Sequence, residues 1–188
     1  MLVGGKSAQP RGFTLIEMML VVMIIGMISA IAYPQYQVLS RANLRATSRK
    51  LAGTIRYLYA RSVMDKKYWR LAFDMDEKKV WAERLELTED GTGKEFVKTD
   101  TANLRRLKIP SGVLIRSIQV AGRDMKENGI EYINFNPFGG VERAAIYLMH
   151  GNGKWVFTLA TKPMSGRVAI FEHDVEIDLD QTALGEDD

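Results

Sequence analysis

An apolar stretch near the amino end constrains this chain more than any other feature of its sequence. Residues 13–33 are 21 consecutive positions whose only ionisable side chain is that of Glu17. As a helix rising about 1.5 Å per residue, they would extend roughly 31 Å, which is the thickness of one bilayer core. A carboxylate inside a membrane costs about 3 kcal/mol even on lenient scales. The sequence therefore predicts a membrane span that holds one charge in need of a cationic partner.

The residues around the start of this stretch form a motif. Lys6 and Arg11 are basic, Gly12 and Phe13 follow, and Glu17 is the fifth residue counted from Phe13. This order resembles the precursors of the type IV pilin and type II secretion pseudopilin family. The resemblance implies that a prepilin peptidase cleaves between Gly12 and Phe13 and methylates the new amino terminus of Phe13. It also implies that Glu17 neutralises this amine on a neighbouring subunit, in a low-dielectric environment where the attraction is strong.

Two other interpretations of the segment are an ordinary signal anchor and a cleaved secretory signal peptide. A secretory peptide has a shorter apolar region, followed by a cleavage site of small residues, of which residues 29–32 offer only a weak version. An ordinary anchor explains the length but not the motif in register with the start of the span. Pro34 directly follows the stretch and is predicted to kink or break the helix there.

We expect four segments along the chain. Residues 1–12 form a cleaved leader peptide, residues 13–34 a transmembrane helix, and residues 35–66 an amphipathic continuation of that helix. Residues 67–188 form a periplasmic, β-rich globular domain with an acidic carboxyl-terminal tail. The body has the size of one domain. The chain has no cysteine, which excludes disulfides and thiolate metal sites.

The pattern of the body predicts an α+β fold, in which the long N-terminal helix packs on an antiparallel β-sheet domain. The predicted apolar face of the helix consists of Leu44, Thr47, Leu51, Thr54, Ile55 and Leu58. A meander of strands is predicted at residues 68–74, 79–85, 104–109, 113–120, 130–136, 144–149, 154–160 and 166–171. Residues 86–101 are predicted to be a long loop, either disordered or in contact with a partner.

Charge is distributed unevenly along the chain. Residues 35–70 contain nine basic residues and one acid, whereas residues 171–188 contain eight acids and neither Lys nor Arg. The helix arginines either form a solvated face or complement the acidic tail or a neighbouring subunit. In the tail, Asp174, Glu176, Asp178 and Asp180 alternate with apolar residues, so a strand would place these acids on one side. That side is either solvated or binds a metal or a basic partner.

The charge distribution and the family resemblance predict opposite membrane topologies. Basic residues directly after a span favour a cytoplasmic body. The resemblance implies a single-pass inner-membrane protein with a cytoplasmic amino terminus and a periplasmic body, and we follow it.

Two stretches in the carboxyl half refine the resemblance. Ile133-Asn134-Phe135-Asn136-Pro137-Phe138-Gly139-Gly140 and Ser165-Gly166-Arg167-Val168 resemble minor pseudopilins of the H class and minor pilins of the FimT type. The first stretch is also compatible with a simple tight loop between antiparallel strands. The resemblance implies a subunit near the tip of the type II secretion pseudopilus, which assists the export of folded proteins across the outer membrane. Its partners would be the prepilin peptidase, other major and minor pseudopilins, and the inner-membrane assembly platform.

A minor type IV pilin, acting in pilus assembly or DNA uptake, is the alternative. DNA-binding members are expected to carry Gly-Arg-x-Arg, but Ala169 stands here in place of the second arginine and acids follow it. Nucleic acid is therefore not an expected partner, because phosphate binding needs exposed cations.

Catalysis, a cofactor and a metal are not expected. The two histidines are His150, at a predicted hairpin turn, and His173, in the acidic tail, and neither has a nucleophile or a metal-ligand companion at a recognisable spacing. Residues 74–77 lack the pattern of a calcium loop and are predicted to be a turn. The aromatic residues Tyr57, Tyr59, Tyr68, Trp69, Trp81 and Trp155 are expected in the core.

Overall fold

The computed structural model of the chain describes residues 13–99, 109–151 and 153–179, without the side chains of residues 31–40. The chain divides into two compact units, Met1–Leu39 and Ser40–Asp188. One long helix, α1 (Leu15–Asp65), contributes to both units.

The first unit contains the apolar part of α1. Helical hydrogen bonding starts at Thr14, whose carbonyl oxygen accepts a bond of 3.2 Å from the backbone N–H of Met18. Every side chain from residue 13 to residue 30 is exposed. The helix continues through Pro34, so the prediction that Pro34 breaks it is wrong, and a kink at Pro34 stays a prediction. Proline tolerates a helical φ angle, and its loss of one backbone donor does not by itself end a helix.

In the second unit, α1 has one buried face. Leu44, Leu51, Ile55 and Leu58 are fully buried, and Thr47 and Thr54 are buried beside them. The apolar face predicted from the spacing of these residues is confirmed. Burying each of the four large side chains stabilises the fold by about 1.5–3 kcal/mol relative to exposure.

The described residues form nine strands. Their bounds are β1 (Trp69–Asp74), β2 (Lys79–Leu87), β3 (Lys94–Thr99), β4 (Val113–Val120), β5 (Ile130–Asn136), β6 (Gly140–Val141), β7 (Ala144–His150), β8 (Val156–Thr161) and β9 (Val168–Phe171). They make two antiparallel sheets, ordered β3-β2-β1-β5-β6 and β4-β7-β8-β9. Leu51 of α1 shares one hydrophobic core with Phe73 of β1 and Ile146 of β7. The predicted α+β class, with the helix packed on antiparallel sheet, is confirmed.

Two parts of the predicted strand order are wrong. The strands do not form one meander, because β1 pairs with β5 and β4 belongs to the other sheet. The predicted loop at residues 86–101 is a hairpin, in which β2 reaches Leu87 and pairs with β3. Strand β3 has few apolar residues because it lies at the edge of its sheet, so its sequence gives a weak strand signal. Of the strand predicted at residues 104–109, residues 104–108 lie outside the described part of the chain.

The acidic tail does not form the predicted strand. Residues 172–179 make no strand ladder, yet Ile177 and Leu179 are buried against Ala145 and Tyr147 on the second sheet. The acids at 174, 176 and 178 remain exposed. Burial of these apolar residues therefore keeps the acids on the solvent side of the tail without backbone pairing. Asp180 lies outside the described residues.

Candidate processing and assembly site

The start of α1 is built by a capping interaction. Thr14 precedes the first helical residue, and its Oγ1 accepts a hydrogen bond of 3.3 Å from the backbone N–H of Glu17. A threonine followed three residues later by a glutamate is the spacing of a capping box, in which side chains satisfy the free N–H groups of the first turn. Glu17 is also the acid of that first turn, where the helix dipole favours negative charge. The carboxylate is therefore favourably placed toward the helix dipole, besides its predicted role between subunits.

The predicted cleavage site is partly described. Gly12, Lys6 and Arg11 lie outside the described residues, whereas Phe13 is described and its side chain is 74% exposed. Residue 13 directly precedes the cap Thr14, so a new amino terminus created there would stand one turn from Glu17. An amine at this end is unfavourable toward the helix dipole, and a nearby carboxylate offsets that effect.

The first turns of α1 present large apolar side chains in all directions. They are Leu15, Ile16, Met18, Met19, Leu20, Val21, Val22, Met23, Ile24, Ile25, Met27 and Ile28. A helix with apolar side chains on every side is normally buried in a protein core or in a membrane, because its exposure to water is unfavourable. Residues 15–28 therefore require lipid or other protein chains around them.

No helix among the described residues meets the length and hydropathy expected of a membrane span.

The two stretches that refine the resemblance meet at one side chain of α1. The hydroxyl of Tyr59 lies 3.1 Å from the carbonyl oxygen of Met164 and 3.3 Å from that of Gly139, so its single proton is shared between these two acceptors. A Cβ atom placed on Gly166 would lie 2.6 Å from Tyr59 Cβ, and Gly166 has a φ of 61°. Both loops are therefore shaped around Tyr59, and residue 166 has no room for a side chain.

Asn136 organises the first of these loops. Its Oδ1 accepts hydrogen bonds of 3.0 Å from the backbone N–H groups of Phe138 and Gly140. Its backbone carbonyl accepts a bond of 3.0 Å from Ser62 Oγ of α1. The stretch is thus the tight loop between β5 and β6 that the alternative interpretation predicted, and it is also fastened to the end of the helix.

The helix arginines pair in part with the acidic tail. Arg45 binds Glu172 with Nε and Nη2 at 2.6 Å each, and Arg41 binds the same carboxylate at 3.0 Å. Hydrogen bonding from Arg45, with a further effect of Arg41, lowers the pKa of Glu172. Arg116 of β4 holds Asp174 with bonds of 2.5 and 3.0 Å. Both interpretations of the arginines hold for different residues, since Arg49 and Arg56 are exposed to solvent.

The two histidines lie in different environments. His150 is buried at the end of β7, and His173 is exposed with its ring edge-on to Phe171. Within the described residues, no group of three or more His, Asp or Glu side chains is placed to hold a metal ion. Residues 74–77 are a turn, in which Asp74 Oδ1 accepts from the N–H of Glu77 at 2.8 Å.

Sequence reasoning missed two features of this surface. Tyr59 was expected in the core, and its half-buried side chain does pack against the core, but its hydroxyl also joins the helix to two loops. The glycines of those loops were the available signal. Tyr68 was also expected in the core and is instead 44% exposed. It lies between the end of α1 and the start of β1.

Comparisons with known proteins agree on the amino-terminal segment. Residues 8–33 match the family described as "Prokaryotic N-terminal methylation motif". Three sequences of the type IV major fimbrial protein FimA of Dichelobacter nodosus are each 69% identical to this chain over 32 residues. That match covers 17% of this chain, and the chain spans about a fifth of the length of these curated relatives.

Among solved structures, the minor pseudopilin EpsH from the type 2 secretion system of Vibrio cholerae is similar, with a TM-score of 0.45 and 10% identity. The alignment covers 68% of this chain and 95% of that chain.

The resemblance drawn from Gly12, Phe13 and Glu17 is therefore confirmed at the level of the motif. Proteins of the pilin kind are structural subunits, in agreement with the expectation that this chain is not an enzyme. The amino-terminal segment of this chain is a prokaryotic N-terminal methylation motif of the type IV pilin-like kind.

Proposed function

We propose that this chain is a minor pseudopilin, a structural subunit near the tip of the type II secretion pseudopilus that assists export of folded proteins. The observation that carries the proposal is the methylation motif at residues 8–33, within which the apolar side chains at the start of α1 are all exposed. The prepilin peptidase cleaves after Gly12 and methylates the amine of Phe13. Residues 13–34 then anchor the chain once in the inner membrane, with the body in the periplasm.

Two features of this segment favour assembly, namely its exposed apolar side chains and the charge of Glu17. The apolar side chains of residues 15–28 exchange lipid for the helices of other pseudopilins when the platform extracts the subunit. The Glu17 carboxylate and the methylated amine of a neighbouring subunit pair in the low-dielectric interior of the filament. Breaking a buried pair by removing one partner leaves an uncompensated charge and costs about 3–5 kcal/mol, so correctly staggered neighbours are favoured.

The assignment to the H class is supported by the sequence of the β5–β6 loop and of residues 165–168. Tyr59 makes these two stretches part of one structural unit, because Gly139 and Gly166 both lie against it.

Deletion of the gene, followed by mass spectrometry of the proteins released into the medium, tests this function. We expect a set of folded exoproteins to disappear from the medium and to return with the wild-type gene. A Gly12→Val variant, which blocks cleavage, should fail to restore them and should accumulate as the uncleaved precursor. An unchanged set of released proteins would contradict the secretion role.

A minor type IV pilin remains the second candidate, because the matched relatives are fimbrial proteins. In that case the deletion strain would lose piliation rather than secretion. DNA uptake is the less favoured form of this role, since Arg167 is followed by Val168 and Ala169 and not by a second arginine. Repulsion by the tail is smaller than its sequence suggests, because Glu172 and Asp174 are paired with arginines.

A further inference from the structure

An open cleft of about 490 Å³ lies where α1 ends and the first sheet begins. We call it the lysine cleft. It is lined by Lys66, Lys67, Tyr68, Leu85, Glu86, Leu87 and Lys94. The backbone N–H of Leu85 donates to the carbonyl oxygen of Tyr68 at 2.9 Å, which fixes the two walls against each other. The cleft is formed by ordered backbone rather than by loops alone.

The lysine cleft is positively charged. Within residues 13–99, 109–151 and 153–179, its three lysines make no ion pair. Glu86 does not neutralise them, because its carboxylate is bound by Arg84. The hydrogen bond from Arg84, with a smaller effect of Lys67, lowers the pKa of Glu86 and keeps it ionised. The three lysines therefore form no described ion pair, although Lys67 also interacts electrostatically with Glu86, and their combined charge attracts an anionic ligand.

The floor of the cleft is apolar and uncovered. Leu87 is 68% exposed and Tyr68 is 44% exposed. Covering these side chains would release about 25 cal/mol for each Å² of apolar surface removed from water. A ligand that fits the whole lining must carry both negative charge and an apolar group.

Lys66 occupies its place in the cleft at a conformational cost. It ends α1 with a φ of 51°, and its N–H and that of Lys67 bond the carbonyl oxygens of Val63 and Ser62 at 3.4 and 3.2 Å. This helix ending favours glycine at the left-handed position, because a side chain there adds about 1 kcal/mol of strain. Lys78, in the β1–β2 turn at the opposite end of those strands, has a φ of 55°. The two lysines share one backbone conformation, but only Lys66 lines the cleft.

The neighbouring aromatic rings distinguish a peptide from a nucleic acid. The guanidinium of Arg70 lies between the rings of Phe96 and Tyr132, at 4.0 and 4.1 Å from their centroids. Lys98 lies 5.0 Å from the ring of Trp81. Single-stranded nucleic acid binding relies on several free ring faces for base stacking. The rings of Phe96, Tyr132 and Trp81 hold cations, which leaves Tyr68 as the one exposed ring in the cleft lining.

We propose that the lysine cleft binds an acidic peptide segment of a partner protein. The segment's carboxylates pair with Lys66, Lys67 and Lys94, and one of its apolar side chains covers Tyr68 and Leu87. This interaction surface is separate from the motif at residues 8–33, so it holds for a secretion subunit and for a pilus subunit alike.

A fluorescently labelled synthetic peptide of alternating Asp and Leu residues is a suitable probe. Its binding to the purified full chain in a non-ionic detergent is measured by fluorescence anisotropy, at low and at high salt. We expect saturable binding that weakens with salt and is absent for a peptide with Asn in place of Asp. Lys66→Gly should weaken binding about threefold, which corresponds to the loss of one exposed ion pair. Changing Lys66, Lys67 and Lys94 to Ala together should weaken it about tenfold or more.

Lys78→Gly is the matched control. Both glycine variants relieve the same backbone strain, so both should unfold at or above the wild-type temperature. Only Lys66→Gly should lose affinity for the acidic peptide. Equal loss in the two variants, absence of saturable binding by the wild type, or tighter binding of a labelled oligothymidine that depends on Lys66 would each overturn the proposal.

Discussion

Gly166 lies against the side chain of Tyr59, so a Cβ atom at residue 166 would stand only 2.6 Å from Tyr59 Cβ and closer still to Cγ. These two residues are 107 positions apart in the sequence. The contact fastens the turn before β9 to the last turns of α1, next to the β5–β6 loop that the same tyrosine contacts through Gly139. The glycines that carry the resemblance thus have a physical reason to be glycines.

A side chain at residue 166 should destabilise the body strongly. Gly166→Ala adds both left-handed backbone strain and a clash with a ring that cannot move far, and we expect a loss of about 2–4 kcal/mol in the free energy of unfolding. Urea denaturation of the purified chain measures it. Gly129→Ala is the control, since Gly129 has a φ of 73° but open space around its Cβ position. It should cost only about 1 kcal/mol, and an equal cost at both positions would rule out the clash.

The hydroxyl of Tyr59 should make a smaller contribution. Tyr59→Phe keeps the ring against Gly166 but removes the donor to the carbonyl oxygens of Met164 and Gly139, so we expect a loss of about 0.5–1.5 kcal/mol. The same denaturation measurement applies. A double variant with Gly166→Ala should lose less than the sum of the two single losses, because both act on one contact. Simple additivity would show that the ring and the hydroxyl act independently.

Stability at low pH should depend on Glu172. Because Arg45 and Arg41 lower its pKa in the folded state, its contribution is present above the ordinary carboxyl pKa of 4.5 and is lost as pH falls through the lowered value. Glu172→Gln should therefore be less stable than the wild type at pH 7, and the difference should shrink below about pH 4.5. Thermal unfolding between pH 7 and pH 3 measures this.

Glu176→Gln provides the comparison for that experiment. Within the described residues Glu176 is exposed and makes no ion pair, so its replacement should leave the unfolding temperature unchanged over the same pH range. If both variants behaved alike, the pairing of Glu172 with the arginines of α1 would contribute nothing to stability.

The two roles of Glu17 can be separated by substitution. Glutamine is accepted at the third helical position of a capping box as glutamate is, whereas alanine is not. Glu17→Gln should therefore keep the start of α1 but lose charge pairing with a neighbour, and Glu17→Ala should lose both. We expect both variants to fail to enter filaments, as measured by cross-linking to the other subunits in the membrane fraction.

Thr14→Ala is the control for capping. It removes the acceptor at 3.3 Å from the N–H of Glu17 and should weaken the helix start by about 1 kcal/mol while leaving the carboxylate in place. Filament entry should be nearly normal in this variant. Rescue of entry by glutamine at position 17 would show that capping, and not charge pairing, is what assembly requires.

Sequence patterns predicted the structure correctly where the pattern arises within a single helix or strand. The spacing of Leu44, Leu51 and Leu58 predicted a buried helix face, because residues seven apart share one side of a helix and only one side contacts the sheets. The bounds of β4 and β5 were also predicted correctly, because each strand coincides with a run rich in apolar residues that ends at a turn. Strand β3 was missed, since an edge strand needs few apolar residues and its Lys94 and Glu95 read as loop.

The sequence by itself determined the amino-terminal motif, the apolar segment and the helical face, because each depends on residues that are close along the chain. Only the tertiary structure decided that β1 pairs with β5, that Gly139 and Gly166 lie against Tyr59, that Arg45 binds Glu172, and that three lysines and Leu87 line one cleft. Those relationships join residues that are distant in sequence, and they are selected by the packing of two sheets on one helix. The local periodicity of the sequence does not specify these long-range contacts, so they can be identified only in the folded structure.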